Sequence, residues 1–213
     1  MTERLKIIFS ALPDCEKFAD VGCDHGYIAK AMLKSGKCKS VIVSDISANC
    51  LIKAERLLFD EIKSGTAESV VSNGFEKVKG ADLALIAGMG GEEIVNIILS
   101  AKELPFRLAL QPMKNCEKVR KIAVQRGYRV LKDFLFKSAG KFYDFILLEK
   151  GEEQLTEEEI LFGRDNLIEK GQAFKEFIRT KIRKINLYLE NDALKGAEKE
   201  RLIQELERLN RYA

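Results

Sequence analysis

Two aspartates and two glycines alternate in one short segment, Asp20-Val21-Gly22-Cys23-Asp24-His25-Gly26. The segment joins a predicted strand to a predicted helix, where glycines permit a sharp turn and close approach of a ligand to the backbone. The glycines are four residues apart, whereas a dinucleotide-binding fingerprint has the spacing G-x-G-x-x-G around a pyrophosphate. Two carboxylates would repel a pyrophosphate but attract a ligand that bears an ammonium and a sulfonium. The segment therefore indicates S-adenosylmethionine, and the alternative is an acidic loop that only turns the chain and caps a helix.

A third acid, Asp45, follows directly after the second predicted strand, Ser40–Ser44. At the carboxyl edge of a parallel sheet, an acid in this position can accept hydrogen bonds from both hydroxyls of a ribose. Alternatively, Asp45 caps the next helix, a role that Ser47 could also fill. Asn73-Gly74 follows the third predicted strand, and its amide is a candidate contact for the adenine of the cofactor, although Asn-Gly is also a common turn.

Three glycines within four residues, Gly88, Gly90 and Gly91, follow the fourth predicted strand, and Gln111-Pro112 follows the fifth. Both segments are expected at the same carboxyl edge, beside the topological switch point of the sheet where ligands bind. The glycines suggest close approach of the backbone to a ligand or to a flat base. Met89 either packs against that base or fills the core.

His25 is the only histidine of the chain. It is a candidate general base, but we favour a role in which it hydrogen-bonds the loop backbone or lines the methionine end of the cofactor site. The five cysteines form no C-x-x-C pair, so with a single histidine we expect no metal site. Their odd number and spacing are typical of a reducing compartment. With no signal peptide and no run of about 20 apolar residues, we expect a cytoplasmic protein that does not span a membrane.

These residues must be positioned by the elements that alternate between residues 17 and 150. Near-continuous apolar runs such as SVIVSD and DLALIAG indicate strands buried on both faces, hence a parallel sheet covered by helices. The predicted strands are Lys17–Val21, Ser40–Ser44, Glu68–Ser72, Leu83–Ala87 and Arg107–Leu110. The predicted helices are Gly26–Ser35, Ala48–Lys63, Glu92–Ala101 and Cys116–Arg126. The alternation predicts right-handed crossovers and a doubly wound α/β fold.

The segment YRVLKDFLFKSAGKFYDFILLEK differs, because its two predicted strands are joined only by Ser138-Ala139-Gly140-Lys141. A connection this short makes the strands antiparallel. A parallel sheet that ends in an antiparallel hairpin is typical of class I (Rossmann-like) methyltransferases rather than of nicotinamide-binding folds. This feature predicts a fold class but no particular reaction.

The composition changes after Gly151, and we place a boundary between a catalytic domain, 1–151, and a helical appendage, 152–213. Thr156 and Glu159 form a capping box that predicts the start of a long helix. Further along, apolar residues at spacings of three and four predict a helical hairpin or short coiled coil, in which Asn191, Asp192 and Gly196 could break the helix. These apolar residues are Ile178, Ile182, Ile185, Leu189, Leu202, Leu206 and Leu209.

The chain has 213 residues, with 46% hydrophobic and 32% charged residues, as in an ordinary soluble globular protein. The net charge of +3 is too small to indicate nucleic-acid binding by itself. The predicted appendage is slightly acidic and the remainder slightly basic, which is compatible with a phosphate-rich partner. One helix of the appendage nevertheless carries five cations, so this helix either grips a substrate or only stabilises or dimerises the protein. These cations are Lys175, Arg179, Lys181, Arg183 and Lys184.

Several motifs together resemble the bacterial TrmK family, whose members are tRNA (adenine-N1)-methyltransferases that act on adenine 22. The matching segments are FADVGCDHGYIA, VIVSDIS, SNGF, LIAGMGGEEI, LALQPM, KFYDFILLEKG and LTEEEILFG. The resemblance extends over essentially the whole chain, and AGMGG together with QP is its most specific part. Two positions depart from the family pattern, since relatives more often carry Asp at position 73 and Ala at position 26.

The resemblance implies a class I methyltransferase fold that binds S-adenosylmethionine and methylates N1 of adenine 22 in tRNA. The candidate cofactor-binding residues are Asp20, Gly22, Asp24, His25, Gly26, Asp45, Ile46, Asn73, Gly74 and Gly88. The candidate catalytic residues are Asp24, which could stabilise the positive charge on the methylated ring, together with Met89 and Gly90. The candidate substrate-binding residues are Gly90, Gly91, Gln111, Pro112, Lys181, Arg183 and Lys184.

Two alternatives to this function remain open from the sequence. The first is a methyltransferase of the same fold that acts on another RNA or on a small molecule. The second is a catalytically silent module that binds RNA or protein. The sequence indicates no oligomeric state.

Overall fold

A computed structural model describes residues 1–190 and 196–213. The strands are β1 (Lys17–Val21), β2 (Ser40–Asp45), β3 (Ala67–Val71), β4 (Leu83–Ala87), β5 (Arg107–Gln111), β6 (Tyr128–Ser138) and β7 (Lys141–Lys150). The helices are α1 (Glu3–Ala11), α2 (Tyr27–Lys34), α3 (Ala48–Leu57), α4 (Phe59–Ser64), α5 (Gly91–Ser100), α6 (Cys116–Gln125), α7 (Glu157–Phe162), α8 (Arg164–Glu169), α9 (Gln172–Leu189) and α10 (Ala197–Asn210).

The seven strands form one sheet in the order β3-β2-β1-β4-β5-β7-β6. Strands β1 to β5 are parallel, and β7 is antiparallel to both β5 and β6. The predicted doubly wound sheet with a terminal antiparallel hairpin is therefore confirmed. The strand order reverses between β1 and β4, which places the switch point at their carboxyl ends.

Each face of the sheet is covered by its own hydrophobic core. One core packs α5 and α6 onto the sheet, through buried residues such as Ile94, Ile98 and Val119. The other packs α1, α2 and α3 onto the opposite face, through residues such as Ile8 and Met32. Burial on both faces explains why the parallel strands are almost continuously apolar.

The predicted elements of the catalytic domain agree with the structure within one or two residues, with two exceptions. The predicted helix Ala48–Lys63 is two helices, α3 and α4, which meet at the buried Leu58. Helix α1 was not predicted at all. Thr2 caps it by accepting a hydrogen bond from the N–H of Leu5, and its buried residue Ile8 packs against the sheet.

The predicted capping box is confirmed, but the long helix expected after it is wrong. Thr156 caps α7 reciprocally with Glu159, yet α7 ends after six residues at Gly163, which has a positive φ of 83°. The long helix is α9, and it packs antiparallel to α10 around a small apolar core that includes Ile178, Ile185 and Leu209. Asn191 and Asp192, the predicted helix breakers, lie outside the described residues.

The appendage also protects the edge of the sheet. Strand β6 is the last strand, so its outward N–H groups would lack partners. Three of these groups donate to side chains that follow the catalytic domain: Val130 to Glu153 at 2.6 Å, Asp133 to Asp165 at 2.8 Å, and Leu135 to Asn166 at 2.8 Å. Helices α8 and α9 contact the same strand. The segment from Glu153 to Asn166 therefore completes the sheet as well as leading to the helical hairpin.

Over the described ranges, none of the helices has the length and apolarity needed to cross a membrane.

Candidate functional site

Two adjoining cavities open at the carboxyl ends of β1, β2 and β4, beside the switch point. We name them the Asp45 cavity and the Asp20 cavity, after one acid in each. Their volumes are about 590 Å³ and 290 Å³, and Gly22 lines both. The Asp45 cavity is lined by Val21, Gly22, Asp45, Ile46, Ser72, Asn73, Gly74, Met89, Glu92, Glu93, Asn96, Ile97 and Ser100. The Asp20 cavity is lined by Thr2, Arg4, Leu5, Asp20, Gly22, Cys23, Asp24, His25, Gly26, Tyr27, Ile28, Leu85 and Ala87.

Gly22 lies at the junction of the two cavities. Its φ of +76° favours glycine, and its N–H is bound to the carbonyl of Ser44 at 2.8 Å. A Cβ added at this position would come within 1.7 Å of the Met89 methyl group. Met89 therefore lies directly against Gly22 at the junction, next to ligand space, and only part of its side chain is packed against the core.

Asp20 is the buried acid of the site, with only 9% of its surface exposed. Burial raises its pKa to about 6, although hydrogen bonds from the Cys23 thiol and the Ala29 N–H oppose the shift. A carboxylate that has lost most of its water gains more than an exposed one from a cationic ligand. This environment fits the ammonium or sulfonium that the sequence predicts.

Asp24 and His25 form a hydrogen-bonded pair that lines the Asp20 cavity. The Asp24 side chain is 61% exposed and lies 3.0 Å from Lys53 Nζ and 2.6 Å from His25 Nδ1, and its hydrogen bonds with Lys53 and His25 lower its pKa. Its charge is therefore already compensated, and this does not favour the predicted role in stabilising a charged base. His25 stacks on Tyr27 at 5.3 Å and binds Asp24, an arrangement that fits loop organisation better than general-base catalysis.

Asp45 lies at the end of β2 and faces the larger cavity. One carboxylate oxygen accepts the N–H of Ser47 at 2.8 Å, so Asp45 also organises the turn into α3, as the alternative interpretation proposed. The side chain is half-buried and lines the cavity, which leaves it accessible to a ligand. Beside it, Ile46 is 71% exposed and presents an apolar surface to the same cavity.

Two predicted contact glycines are explained at least partly by packing. A Cβ at Gly74 would come within 2.9 Å of Ile97, and its φ is +55°. A Cβ at Gly26 would come within 3.2 Å of Ala54, and its φ is +71°. Both glycines line a cavity, but these positions would be strained by a side chain even without a ligand. Asn73, next to Gly74, is exposed at the cavity edge.

The loops after β4 and β5 are joined to each other by backbone hydrogen bonds. Backbone hydrogen bonds join Gly88 to Gln111 at 3.1 Å, Met113 to Met89 at 2.9 Å and Gly91 to Lys114 at 3.0 Å. A Cβ at Gly91 would come within 2.4 Å of the Lys114 carbonyl oxygen. Position 91 therefore has to be glycine, because the neighbouring loop leaves no room for a side chain. The accessible part of the loop is Gly88 to Gly90.

Three predicted substrate contacts are buried, which corrects that part of the prediction. Gly91 and Pro112 are buried, and Gln111 is completely inaccessible to solvent. The Gln111 amide oxygen accepts a hydrogen bond from Arg4, and its amide nitrogen donates to the Pro112 carbonyl at 3.0 Å. In this arrangement these residues support the loops and do not reach a substrate directly.

Arg4 is the main site residue that the sequence interpretation missed. Because α1 was not predicted, nothing placed residue 4 beside β4 and β5, although the N-cap pattern of Thr2 and Glu3 could have revealed the helix. The Arg4 guanidinium lies over the Tyr143 ring at 5.7 Å and lines the Asp20 cavity. Lys114, also missed, is exposed and packs beside Gly90.

The cations of α9 do not share one face. Arg183 and Lys184 are exposed, as a nucleic-acid contact requires. Lys181 instead lies 3.6 Å from Glu205 of α10 and 5.3 Å above the Phe177 ring, so its charge is partly compensated within the hairpin. On a helix with 3.6 residues per turn, Arg183 lies about 200° around the axis from Lys181, whereas Lys184 lies only about 60° from Lys181.

No group of three or more His, Cys, Asp or Glu side chains suited to a metal ion occurs in residues 1–190 and 196–213.

Comparison with known proteins places this chain in a family. A family model for a methyltransferase domain, Methyltransf_18, matches residues 1–146. The chain is 30% identical over 153 residues to a putative tRNA methyltransferase of Mycoplasma pneumoniae, covering 68% of this chain and 70% of that protein. It is 26% identical over 161 residues to the tRNA (adenine(22)-N(1))-methyltransferase of Bacillus subtilis, covering 71% and 66%.

A solved structure has the same fold over the complete chain. It is a putative tRNA (m1A22) methyltransferase of Streptococcus pneumoniae in complex with S-adenosyl-L-methionine, with a TM-score of 0.88, 23% sequence identity, and coverage of 100% of this chain and 99% of that one. The fold, the two-cavity site at the switch point and the family match agree. The chain belongs to the methyltransferase-domain family Methyltransf_18.

Proposed function

We propose that the protein methylates N1 of adenine 22 in tRNA with S-adenosylmethionine as methyl donor. The observation that carries the proposal is that Asp20 and Asp45 lie in two cavities that meet at Gly22, at the switch point of a methyltransferase-type sheet. The substrate is supported by the Mycoplasma and Bacillus relatives, both named as tRNA methyltransferases. We further propose that the enzyme acts in the cytoplasm, because its five cysteines are free thiols.

The residues of both cavities fit this cofactor. Asp45 would accept hydrogen bonds from the ribose hydroxyls, Ile46 would cover a face of the adenine, and Asn73 would meet the polar edge of that ring. Asp20 lies on the far side of Gly22, where its buried carboxylate suits the positive end of the methionine moiety. Gly22 lies between the two halves, with the Met89 methyl group against it. The two acids would thus bind opposite ends of one elongated ligand.

When bound, the cofactor supplies an electrophilic methyl group on a positively charged sulfur. N1 of adenine carries an in-plane lone pair, so no residue of the chain has to remove a proton before attack. The contribution of the chain is then to orient the base and to exclude water from it. Met89, in the accessible part of the glycine loop from Gly88 to Gly90, lines the Asp45 cavity, and we propose this loop as the surface that holds the flat base.

The target base must leave its stack before it can enter this site, at a cost of a few kcal/mol. The exposed Lys114 beside Gly90 and the exposed cations of α9 are the groups we propose for the tRNA backbone. Lys181 is removed from the predicted contact surface because it pairs with Glu205.

We predict that the double substitution Arg183→Gln/Lys184→Gln weakens tRNA binding about tenfold at 0.1 M salt. Each phosphate contact that is lost should lower the slope of log K against log salt by about 1. Fluorescence anisotropy with labelled tRNA between about 0.05 and 0.3 M salt measures both quantities. Lys181→Gln is the matched control on the same helix and should leave the slope unchanged. An unchanged slope in the double variant would assign α9 a purely structural role.

We predict that affinity for S-adenosylhomocysteine falls about tenfold between pH 7.5 and pH 5, because Asp20 becomes protonated near pH 6. Arg4, Asp24 and Cys23 line the same cavity. Calorimetric titration at several pH values measures the affinity, and Asp20→Asn should flatten the profile. In the ligand-free protein, Asp20 should have the opposite effect, on the free energy of unfolding. Its folded-state pKa is raised, so its contribution to the free energy of unfolding increases as pH falls through 6. A flat profile in the parent protein would remove Asp20 from the ligand contact.

The methylation itself is tested by incubating the protein with unmodified tRNA and S-adenosylmethionine, digesting the tRNA and analysing the nucleosides by mass spectrometry. We expect N1-methyladenosine, and we expect it to disappear when adenine 22 is replaced by guanine. A different methylated nucleoside would indicate another acceptor on the same fold. Absence of any product together with absence of cofactor binding would indicate a silent binding module.

A further inference from the structure

Helix α1 brings one cation, Arg4, into the Asp20 cavity. Its guanidinium is held from three sides: Nη1 donates to the Gln111 amide oxygen and lies 3.9 Å from the Met113 sulfur, and the group lies over the Tyr143 ring at 5.7 Å. Gly88 leaves open the space beside it, since a Cβ there would lie 3.5 Å from Nη1 and 3.7 Å from Nη2. Arg4 is therefore a positioned side chain and not a freely moving surface cation.

No carboxylate within the described ranges lies within 4 Å of the Arg4 guanidinium, although it is half-buried. The partners it has are a neutral amide oxygen, a thioether and an aromatic ring. Two other cations near the mouth of the site, Lys53 and Lys118, are paired with Asp24 and Glu92. A half-buried guanidinium without an anion is costly unless a ligand supplies one.

The Asp20 cavity thus contains a buried acid and a held cation without a counter-ion. This combination matches an amino acid group, which carries an ammonium and a carboxylate on the same carbon. We propose that Arg4 binds the carboxylate of the methionine moiety of S-adenosylmethionine, while Asp20 faces its ammonium. The inference rests on the proposed cofactor and adds the group that recognises its amino acid end.

The buried Gln111 gains a role from this assignment. Its amide oxygen fixes the Arg4 guanidinium, and its own amide nitrogen is fixed by the Pro112 carbonyl. Gln111 is therefore a positioning residue that acts through Arg4. A phosphate of the RNA backbone is the rival ligand for Arg4. We favour the cofactor because Arg4 shares a cavity with Asp20 and Gly22, whereas the exposed Lys114 lines neither of the two cavities.

The experiment compares two ligands that differ only at the amino acid end. S-adenosylhomocysteine carries the carboxylate and ammonium, and 5′-methylthioadenosine lacks both. Arg4→Ala should weaken S-adenosylhomocysteine binding roughly 10- to 100-fold, as expected for charge-assisted hydrogen bonds. It should change 5′-methylthioadenosine binding less than twofold. Arg4→Lys, which keeps the charge but not the planar fork, should recover part of the loss. Calorimetry gives the affinities, and Lys6→Ala, exposed on the same helix, is the matched control.

Each other outcome overturns the assignment in a recognisable way. Equal losses for both ligands in Arg4→Ala would mean that α1 only shapes the site. Unchanged affinity for both ligands, with weaker tRNA binding, would make Arg4 a phosphate contact. In either case, parent protein that still binds S-adenosylhomocysteine leaves the proposed function intact. Parent protein that binds neither ligand would instead remove the proposed function and this inference together.

Discussion

Asp45→Ala is expected to weaken binding of S-adenosylhomocysteine about 30- to 1000-fold while leaving tRNA binding nearly unchanged. Both ribose hydroxyls would donate to this carboxylate, and hydrogen bonds to a charged group contribute about 1.5–3 kcal/mol each. Because Asp45 is only half-buried, water competes for it, so we expect a total of about 2–4 kcal/mol. Calorimetry with S-adenosylhomocysteine and 5′-methylthioadenosine should show losses for both ligands, since both contain the ribose.

The control separates ligand binding from the folding of the loop. Asp45 also accepts the Ser47 N–H at 2.8 Å, so its removal affects the start of α3. Asp45→Asn keeps an acceptor for this bond and should bind the ligands with intermediate affinity. Asp60→Ala removes an exposed acid on the neighbouring α4 and should have no effect. Equal affinity in Asp45→Ala and in the parent would show that the ribose assignment is wrong.

The sheet was predictable because its information is local. Strands β1 and β4 agree with the prediction at both ends, since a strand buried on both faces is apolar throughout and stops where polar or glycine residues begin. The antiparallel hairpin followed from the length of its connection, which is a two-residue turn at Ala139 and Gly140 with positive φ at both positions. These features depend on neighbouring residues and not on contacts that are distant along the chain.

The site residues could be predicted only where they lie at the ends of such strands. Asp20, Gly22 and Asp45 lie at strand ends, so the parallel topology alone brings them together. Arg4 could not be placed in this way, because its contacts with Gln111 and Tyr143 join segments more than 100 residues apart. The burial of Gln111 is likewise a tertiary property, so a strand-end polar residue was mistaken for a ligand contact.

The domain boundary is a further case in which tertiary contacts modify a prediction based on composition. Composition changes after Gly151, yet the structure binds the following segment to β6 through an ion cluster centred on Arg120 of α6. Arg120 donates to both carboxylate oxygens of Asp133, at 2.7 and 2.8 Å, to Asp144 at 2.6 Å, and to the Ile160 carbonyl of α7 at 3.2 Å. We propose that α7 and α8 unfold together with the catalytic domain.

Arg120→Met is therefore expected to lower the free energy of unfolding by about 3–5 kcal/mol. Arg120 and Asp133 are both completely buried, so the substitution leaves a buried acid without its cation, and breaking one side of a buried pair costs about this much. The matched control is Arg129→Met in the same hairpin. Arg129 also forms an ion pair, with Glu149, but its own side chain is half-exposed. Because Arg129 is 54% exposed and Glu149 keeps its ion pair with Arg107, the loss should be about the 0–1 kcal/mol of a surface pair, so the control should stay close to the parent in urea denaturation.

A second measurement tests whether the appendage is part of the same cooperative unit. Native-state hydrogen exchange reports the Asp133 and Leu135 amides, which donate to Asp165 and Asn166 across the proposed boundary. In Arg120→Met these amides should lose protection in parallel with the central strand β4. If they lose it while β4 keeps its full protection, then 152–213 unfolds separately, as composition alone suggested.

A double variant, Arg120→Met/Asp133→Leu, should recover part of the stability because it removes the unpaired charge, whereas no recovery would place the cost in packing instead of electrostatics.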